Sequence, residues 1–273
     1  MRKVLLLAET IRITSASNPF IKEIKSLHDK KGRRNLGAFL LEGTRLIEDA
    51  LGSGASIRCF VVADTFAEKS PKLLEKAAGK ASRVYALPDE LFARVSETQT
   101  PQGIMAVVDI PHYGMEAVLS GHSRIMVLEN LQDPGNLGTI IRSADACGFD
   151  GIILSRDSVD PYNPKVVRST MGSLFRVPVV IPDNLYEALR SLQSKGIRVM
   201  AAHPRDAVPC WEADLRENLA LAIGNEGNGL TETLLSMADC RIMIPMEGRA
   251  ESLNASSAAS ILLYESMRQR AIR

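Results

Sequence analysis

The second half of the chain alternates short apolar runs with helical patterns, and few folds accept that rhythm. After a leading arginine or glycine, Arg124–Leu128, Gly151–Leu154 and Arg241–Ile244 are apolar throughout, as are Val177–Ile181 and Leu219–Ile223, and Ile197–Ala201 is apolar apart from Arg198. Continuous rather than alternating hydrophobicity marks strands buried on both faces. Helical patterns fill the intervals, most clearly at Leu137–Cys147, Leu185–Lys195 and Leu230–Met237. Such an alternation predicts a parallel sheet wrapped by helices. Aromatic residues are only 5% of the 273 residues while 45% are hydrophobic, so Leu, Ile, Val, Ala and Met must do the packing.

The first half reads as a smaller α/β domain. Asn18 and Pro19 supply a cap and a first helical residue for a helix reaching His28, with Phe20, Ile21, Ile24 and Leu27 at helical spacing. Strands are expected at Ala38–Leu41, Ile57–Val62, Ser82–Ala86 and Gly103–Val108, and helices at Thr44–Leu51, Pro71–Ala78 and around Glu90–Arg94. The Pro- and Gly-bearing stretch from Pro111 to Ser123 suggests a connection. The expected organisation is therefore a domain over residues 1–112, a linker over 113–122, and a second domain over 123–273.

Composition excludes several classes. The four cysteines and four histidines are scattered without metal-ligand or disulfide spacing, so no metal is expected and the thiols should be reduced. The apolar run near the N-terminus is too short for a signal peptide and ends at Glu9. No segment has the length to span a bilayer, so a soluble, cytoplasmic protein is the expectation.

The formal net charge of +1 hides an asymmetry. Between Arg12 and Arg34 stand seven basic residues (Arg12, Lys22, Lys25, Lys30, Lys31, Arg33, Arg34) and two acids, a local +5 that leaves −4 for the rest. Two readings are open: a solvated helix face, or a patch that contacts phosphates and loses affinity steeply with salt.

Three segments at strand ends carry the chemistry. The first leaves Leu128, turns at Asp133-Pro134-Gly135, and enters a helix that Asn136 is expected to cap; Arg142 follows about 1.7 turns later. That arginine suits either a pocket or a surface ion pair. The second runs from the apolar strand Leu219–Ile223 into a loop with Gly224, Gly227 and Gly229, from which Glu226 projects. Its spacing is neither a dinucleotide fingerprint nor a P-loop, and it fits a tight turn as well as a ligand contact. The third passes from Ile244 and Pro245 through a polar turn to a small-residue helix, with Ser252 or Asn254 placed to cap it. Ends of parallel strands are where open α/β sheets bind ligands. The three segments share Asn, Gly, Ser and Arg but no histidine, cysteine or carboxylate pair. That inventory argues against metal-assisted hydrolysis and Ser-His-Asp chemistry. It suits a reaction that mainly needs its reactants positioned.

At these residues the chain resembles the SpoU (TrmH) branch of the SPOUT methyltransferases. Asp133, Pro134, Asn136, Gly138 and Arg142 resemble the first family motif; Ile223, Gly224, Glu226, Gly229 and Leu230 the second; Ile244, Pro245, Met246, Gly248, Ser252, Leu253 and Asn254 the third. This likeness covers about residues 122–270. A looser likeness, through Asn18, Pro19 and Lys22, Phe39, Glu42 and Gly43, and Pro101 to Gly103, links the first half to a ribosomal-protein-like substrate-binding domain. The resemblance implies a homodimer whose C-terminal SPOUT fold carries a deep trefoil knot, beside a smaller RNA-binding α/β domain. It implies S-adenosylmethionine as methyl donor and a ribose 2′-hydroxyl as acceptor, with 23S ribosomal RNA the expected substrate and transfer RNA the alternative. Gly224, Ile244 and Leu253 would touch the donor; Asn136, Arg142, Glu226, Ser252 and Asn254 would line the catalytic site. Arg12, Lys22, Lys30, Lys31, Arg33 and Arg34 would then face RNA. A non-catalytic RNA-binding protein and a nucleotide-binding oxidoreductase are the competing readings. Intact motifs disfavour the first, and the glycine spacing disfavours the second.

Overall fold

The computed structural model describes residues 9–79, 83–119 and 123–272; the apolar run of residues 1–8, Ser82 and residues 120–122 of the expected linker lie outside them. The chain forms two compact units. One comprises the described residues up to Pro111 together with Tyr162–Phe175, and the other comprises His112–Pro161 and Arg176 onward.

The first unit contains β1 (Glu9–Arg12), α1 (Pro19–Ser26), α2 (Lys30–Leu36), β2 (Ala38–Glu42), α3 (Thr44–Ser53) and β3 (Ile57–Ala63). It continues with α4 (Asp64–Lys69), α5 (Pro71–Ala78), β4 (Arg83–Leu87), α6 (Asp89–Val95) and β5 (Ile104–Asp109). The sheet order is β1-β4-β3-β5-β2, with β1, β4 and β3 parallel and β5 antiparallel to both its neighbours. The Asn18 side chain accepts the Phe20 N–H at 2.9 Å and Pro19 takes the first helical position, so the local sequence starts α1 as expected.

Helix α2 occupies the basic segment and separates its cations by face. A helix turns about 100° per residue, so Arg33 and Arg34 point in different directions. Arg34, Lys30, Lys31 and Lys22 are exposed. Arg33 is 2% exposed, and its Nη1 donates to the carbonyls of Leu27 and His28 at 2.9 and 2.7 Å. This corrects the expectation that Arg33 faces RNA: its charge is spent on the carbonyls that end α1.

In the second unit the elements are β6 (Arg124–Leu128), α7 (Pro134–Ala146), β7 (Gly151–Leu154), β8 (Val179–Val180), α9 (Leu185–Ser194) and β9 (Arg198–Ala202). They are followed by β10 (Val208–Pro209), β11 (Leu219–Ile223), α10 (Glu232–Met237), β12 (Cys240–Met243) and α11 (Ala255–Ala271). Between β7 and β8 the chain makes α8 (Pro164–Thr170), which belongs to the first unit. Every pairing in the sheet, ordered β10-β12-β9-β11-β6-β7-β8, is parallel. Ile125, Val127, Ile153, Val199, Ala201, Ala220 and Ala222 cluster with Leu189 and Leu192 of α9 and Leu234 of α10 on one face. Helices α7 and α11 pack together, and α11 also contacts β11. Part of the expected linker, Met115–Val118, forms a 3-10 turn whose Val118 is buried in this core. No helix among the described residues is long and apolar enough to cross a membrane.

Removing Arg33 deprives two carbonyls of an ionic donor. Arg33→Ala should lower stability by about 2–4 kcal/mol, while Arg34→Ala should change it by no more than about 0.5 kcal/mol. Urea unfolding of the full chain checks this; equal midpoints for the two variants would contradict the buried role.

Candidate active site

Parallel pairing aligns the chemistry. Leu128 pairs with Ile223, Ala222 with Ala201, and Ile242 with Ala202, so β6, β11, β9 and β12 end at one edge of the sheet. Four adjacent strands span about 14 Å at the usual spacing, so the segments that follow them are near neighbours.

After β6 the chain turns through Asn130, whose φ of 55° is the left-handed conformation that asparagine tolerates. The Asn130 N–H donates to Ser155 Oγ at 2.8 Å, and the Leu131 N–H to Ser158 Oγ at 3.1 Å. The cap of α7 is Asp133, not Asn136. Pro134 sits at the first helical position, and the Asp133 carboxylate accepts the Asn136 N–H at 2.8 Å. That arrangement frees the Asn136 side chain, which donates to Glu226 Oε1 at 2.9 Å. The same carboxylate accepts the backbone N–H groups of Asp133 at 3.1 Å and Gln132 at 3.2 Å. Burial acts to raise the Glu226 pKa. The hydrogen bonds from Asn136 and from the backbone of Asp133 and Gln132 outweigh it, and the group lies below its ordinary value.

Loop 224–230 folds back on itself. Asn225 and Gly229 exchange backbone hydrogen bonds at 3.0 and 2.9 Å, and Asn225 Oδ1 accepts the N–H groups of Gly227 and Asn228. The Asn225 amide donates to the Asn130 carbonyl at 2.8 Å, a second tie between the first and second segments. A Cβ on Gly224 would lie 2.1 Å from the Gly229 carbonyl carbon and 2.2 Å from Leu230 N, so only glycine fits.

Beside this loop lies a cleft of about 360 Å³, a volume typical of small-molecule sites. Gly224, Glu226, Ile244, Ser252 and Leu253 all line it, with Ile223, Leu235, Ile242, Ala255 and Ala258 giving apolar walls. Glu226 and Glu232 are on its lining, which includes no lysine or arginine. Such walls and charges fit a flat, cationic ligand. Asn254 stands two residues beyond Ser252 and caps α11, its Oδ1 accepting the N–H groups of Ser256 and Ser257 at 2.9 and 3.3 Å.

Thus the second and third segments share the cleft, and Asn136 joins them through Glu226. Arg142 does not line it: this arginine is exposed on α7, and its side chain forms no hydrogen bond or ion pair with a described residue. Among the basic candidates, Arg12 makes a two-point ion pair with Asp64 at 2.8 and 2.7 Å. Sequence reasoning missed Glu129, which is 1% exposed and accepts from Tyr186 Oη, Thr231 Oγ1 and Thr231 N. It ties the end of β6 to the start of α10. A carboxylate directly after an apolar strand was the available signal. His203, at the end of β9, also lines the cleft. No group of three or more His, Cys, Asp or Glu side chains gathers as a metal site among the described residues.

The fold is that of the SPOUT methyltransferases. The SpoU rRNA Methylase family model matches residues 123–264, and the MRM3-like substrate binding domain model matches residues 18–106. The chain is 38% identical over 253 residues to the 23S rRNA (guanosine(2553)-2′-O)-methyltransferase RlmP of Bacillus subtilis, covering 93% of this chain and 98% of that protein. It superimposes on an AdoMet-bound rRNA methyltransferase from Sinorhizobium meliloti with a TM-score of 0.85 at 32% identity, covering 95% of this chain and 98% of the other. A TM-score of 0.86 at 29% identity relates it to the SpoU methyltransferase AviRb of Streptomyces viridochromogenes in complex with AdoMet, covering 93% and 99%. This chain belongs to the SpoU rRNA methylase family.

The depressed Glu226 pKa has a definite pH consequence. Its contribution to stability is present above the ordinary glutamate value of 4.5 and is lost as pH falls through the lower folded-state value. Glu226→Gln should therefore destabilise the protein at neutral pH, and the gap to wild type should close as the solution is acidified below that range. A gap that stays constant in acid would show that the carboxylate charge is not what joins the loops.

Proposed function

We propose that this protein transfers the methyl group of S-adenosylmethionine to a ribose 2′-hydroxyl of 23S ribosomal RNA, in the cytoplasm. The observation that carries this reading is the cleft in which Gly224, Glu226, Ile244, Ser252 and Leu253 meet, with Glu226 holding the turn that bears Asn136. The donor supplies an activated methyl on a positively charged sulfur. Residues of the chain do the rest. Gly224, Ile244 and Leu253 hold the donor, and rigid placement of reacting groups is worth on the order of 7–11 kcal/mol of a barrier. The ribose hydroxyl must shed its proton as the O–CH3 bond forms and the S–CH3 bond breaks; the thioether leaves neutral and the proton passes to water. Arg142 remains a guanidinium, so its part is to stabilise the oxygen's growing negative charge or to clamp the adjacent phosphate. Glu226 is held ionised by three N–H donors, which makes it the brace of the 132–136 turn rather than the proton acceptor. Ser252 and Asn254 border the acceptor side.

A homodimer belongs to the same reading. Arg142 is exposed, unpaired and outside the cleft, and Ile261 and Tyr264 leave α11 with apolar surface 40% and 58% exposed. A partner seated on α11 would cover that surface and supply an arginine to each site. The trefoil knot belongs here too, supported by the return of the chain from β12, near one edge of the sheet, to pack α11 against α7. Residues 1–112 act as the substrate-binding domain, residues 123–273 as the catalytic domain, and 113–122 as their connection. Exposed Lys22, Lys30, Lys31 and Arg34, with Arg12 beside its aspartate, form the RNA-facing surface.

Incubating the purified protein with tritiated S-adenosylmethionine and unmodified 23S transcript should label a ribose that mapping then locates. Label on transfer RNA alone would move the substrate to the alternative, and no label on either would leave an RNA-binding protein without turnover. Arg142→Ala should lower turnover about 100–1,000-fold, the usual loss for one stabilising donor, with donor affinity by calorimetry unchanged. Full activity in Arg142→Lys at every pH would remove the need for a planar guanidinium.

A further inference from the structure

The sequence between β7 and β8 falls within the stretch matched by the methylase family model, yet Tyr162–Phe175 belongs to the first structural unit. Its anchoring is specific. The Tyr162 ring packs on Phe39 with centroids 5.0 Å apart, and α8 packs on β2, burying Val166 and Val167. Gly172 has a φ of 84°, and a Cβ there would lie 2.3 Å from Asp49 Oδ2, so the segment fits tightly over α3 as well. This arm carries two charged side chains, Lys165 and Arg168, and no acid. Lys165 is exposed and Arg168 half-buried, and neither forms an ion pair or hydrogen bond through its side chain with a described residue.

Their neighbourhood gives these charges a use. Arg168 shares a small cavity with His28, the residue at the corner where α1 passes into α2, and with Leu40 of β2. Lys30 and Lys31 begin α2 two and three residues after His28. Glu42 and Glu97 also border the cavity, and each has a partner other than Arg168. Glu42 Oε1 accepts the hydroxyls of Ser96 and Thr98, and Glu97 stands 3.2 Å from His28 Nδ1. Neither carboxylate forms an ion pair with Arg168, and exposed Lys165 is not on the cavity lining, so both cations stand beside Lys30 and Lys31 without a carboxylate partner among the described residues.

We infer that the arm is a substrate-gripping element: Lys165 and Arg168 extend the α1–α2 basic surface and contact the phosphodiester backbone of the RNA. This rests on the RNA methyltransferase reading, and it assigns part of RNA binding to a segment that the sequence places among the catalytic elements. Phosphate contacts reveal themselves through salt, because each one contributes roughly 0.9 to the slope of log affinity against log salt.

Filter binding of the full chain to unmodified 23S transcript, from about 50 to about 200 mM KCl, tests it. Lys165→Gln/Arg168→Gln should make the slope shallower by about two, so that its affinity and that of wild type converge by about tenfold across the range. Lys165→Glu, which changes only an exposed side chain, should alone make the slope shallower by about one, while donor affinity by calorimetry stays at wild type. A wild-type slope in both variants overturns the inference. The parallel variant Lys30→Ala/Lys31→Ala then separates the two ideas: if it loses RNA affinity, the RNA reading stands and only the arm is misassigned. If it too binds as wild type, the α1–α2 surface and the arm fail together, and methyl transfer to labelled 23S transcript then decides the RNA reading separately.

Discussion

A single carboxylate joins segments that are about ninety residues apart in sequence. Glu226 takes three N–H donors from the 132–136 turn, and Asn225 beside it reaches the Asn130 carbonyl. These bonds are possible because parallel pairing in register brings Leu128 and Ile223 side by side at the end of the sheet. Without that alignment the two loops would have no common frame. With it, the cleft beside Gly224 has a floor set by the sheet and a rim set by hydrogen bonds.

The cleft's walls follow from the same constraint. Gly224 has no room for any side chain because loop 224–230 closes on itself directly above it, and that closure depends on the Asn225–Gly229 backbone pair. Glu129 fixes the far end of the loop by accepting from both the N–H and the hydroxyl of Thr231, the residue that caps α10. Thus one buried carboxylate and one partly exposed one hold the loop at both ends. Neither needs to touch a reacting atom to matter.

Much of this was legible in the sequence, and the reasons are physical. Continuous apolar runs announced the parallel sheet, and Gly, Pro and Asn after them announced loops at its edge. What escaped depended on where a helix begins, on which way its faces point, and on neighbours distant in sequence. Asn136 looked like a helix cap, but Pro134 takes the first helical position, so the helix starts three residues earlier and Asp133 does the capping. Arg33 looked like its neighbour Arg34 until the helix gave each a direction. The placement of Tyr162–Phe175 has no local signal, because nothing near Tyr162 in sequence points to Phe39.

That last arrangement bears on how such a chain could be divided or recombined. A break between Pro111 and His112 looks like a clean seam, yet the downstream piece would keep Tyr162, Val166 and Val167 while losing the β2 surface that covers them. Uncovering a large apolar side chain costs on the order of 1.5–3 kcal/mol. Dividing the chain at that seam would therefore strand part of the first unit on the second piece.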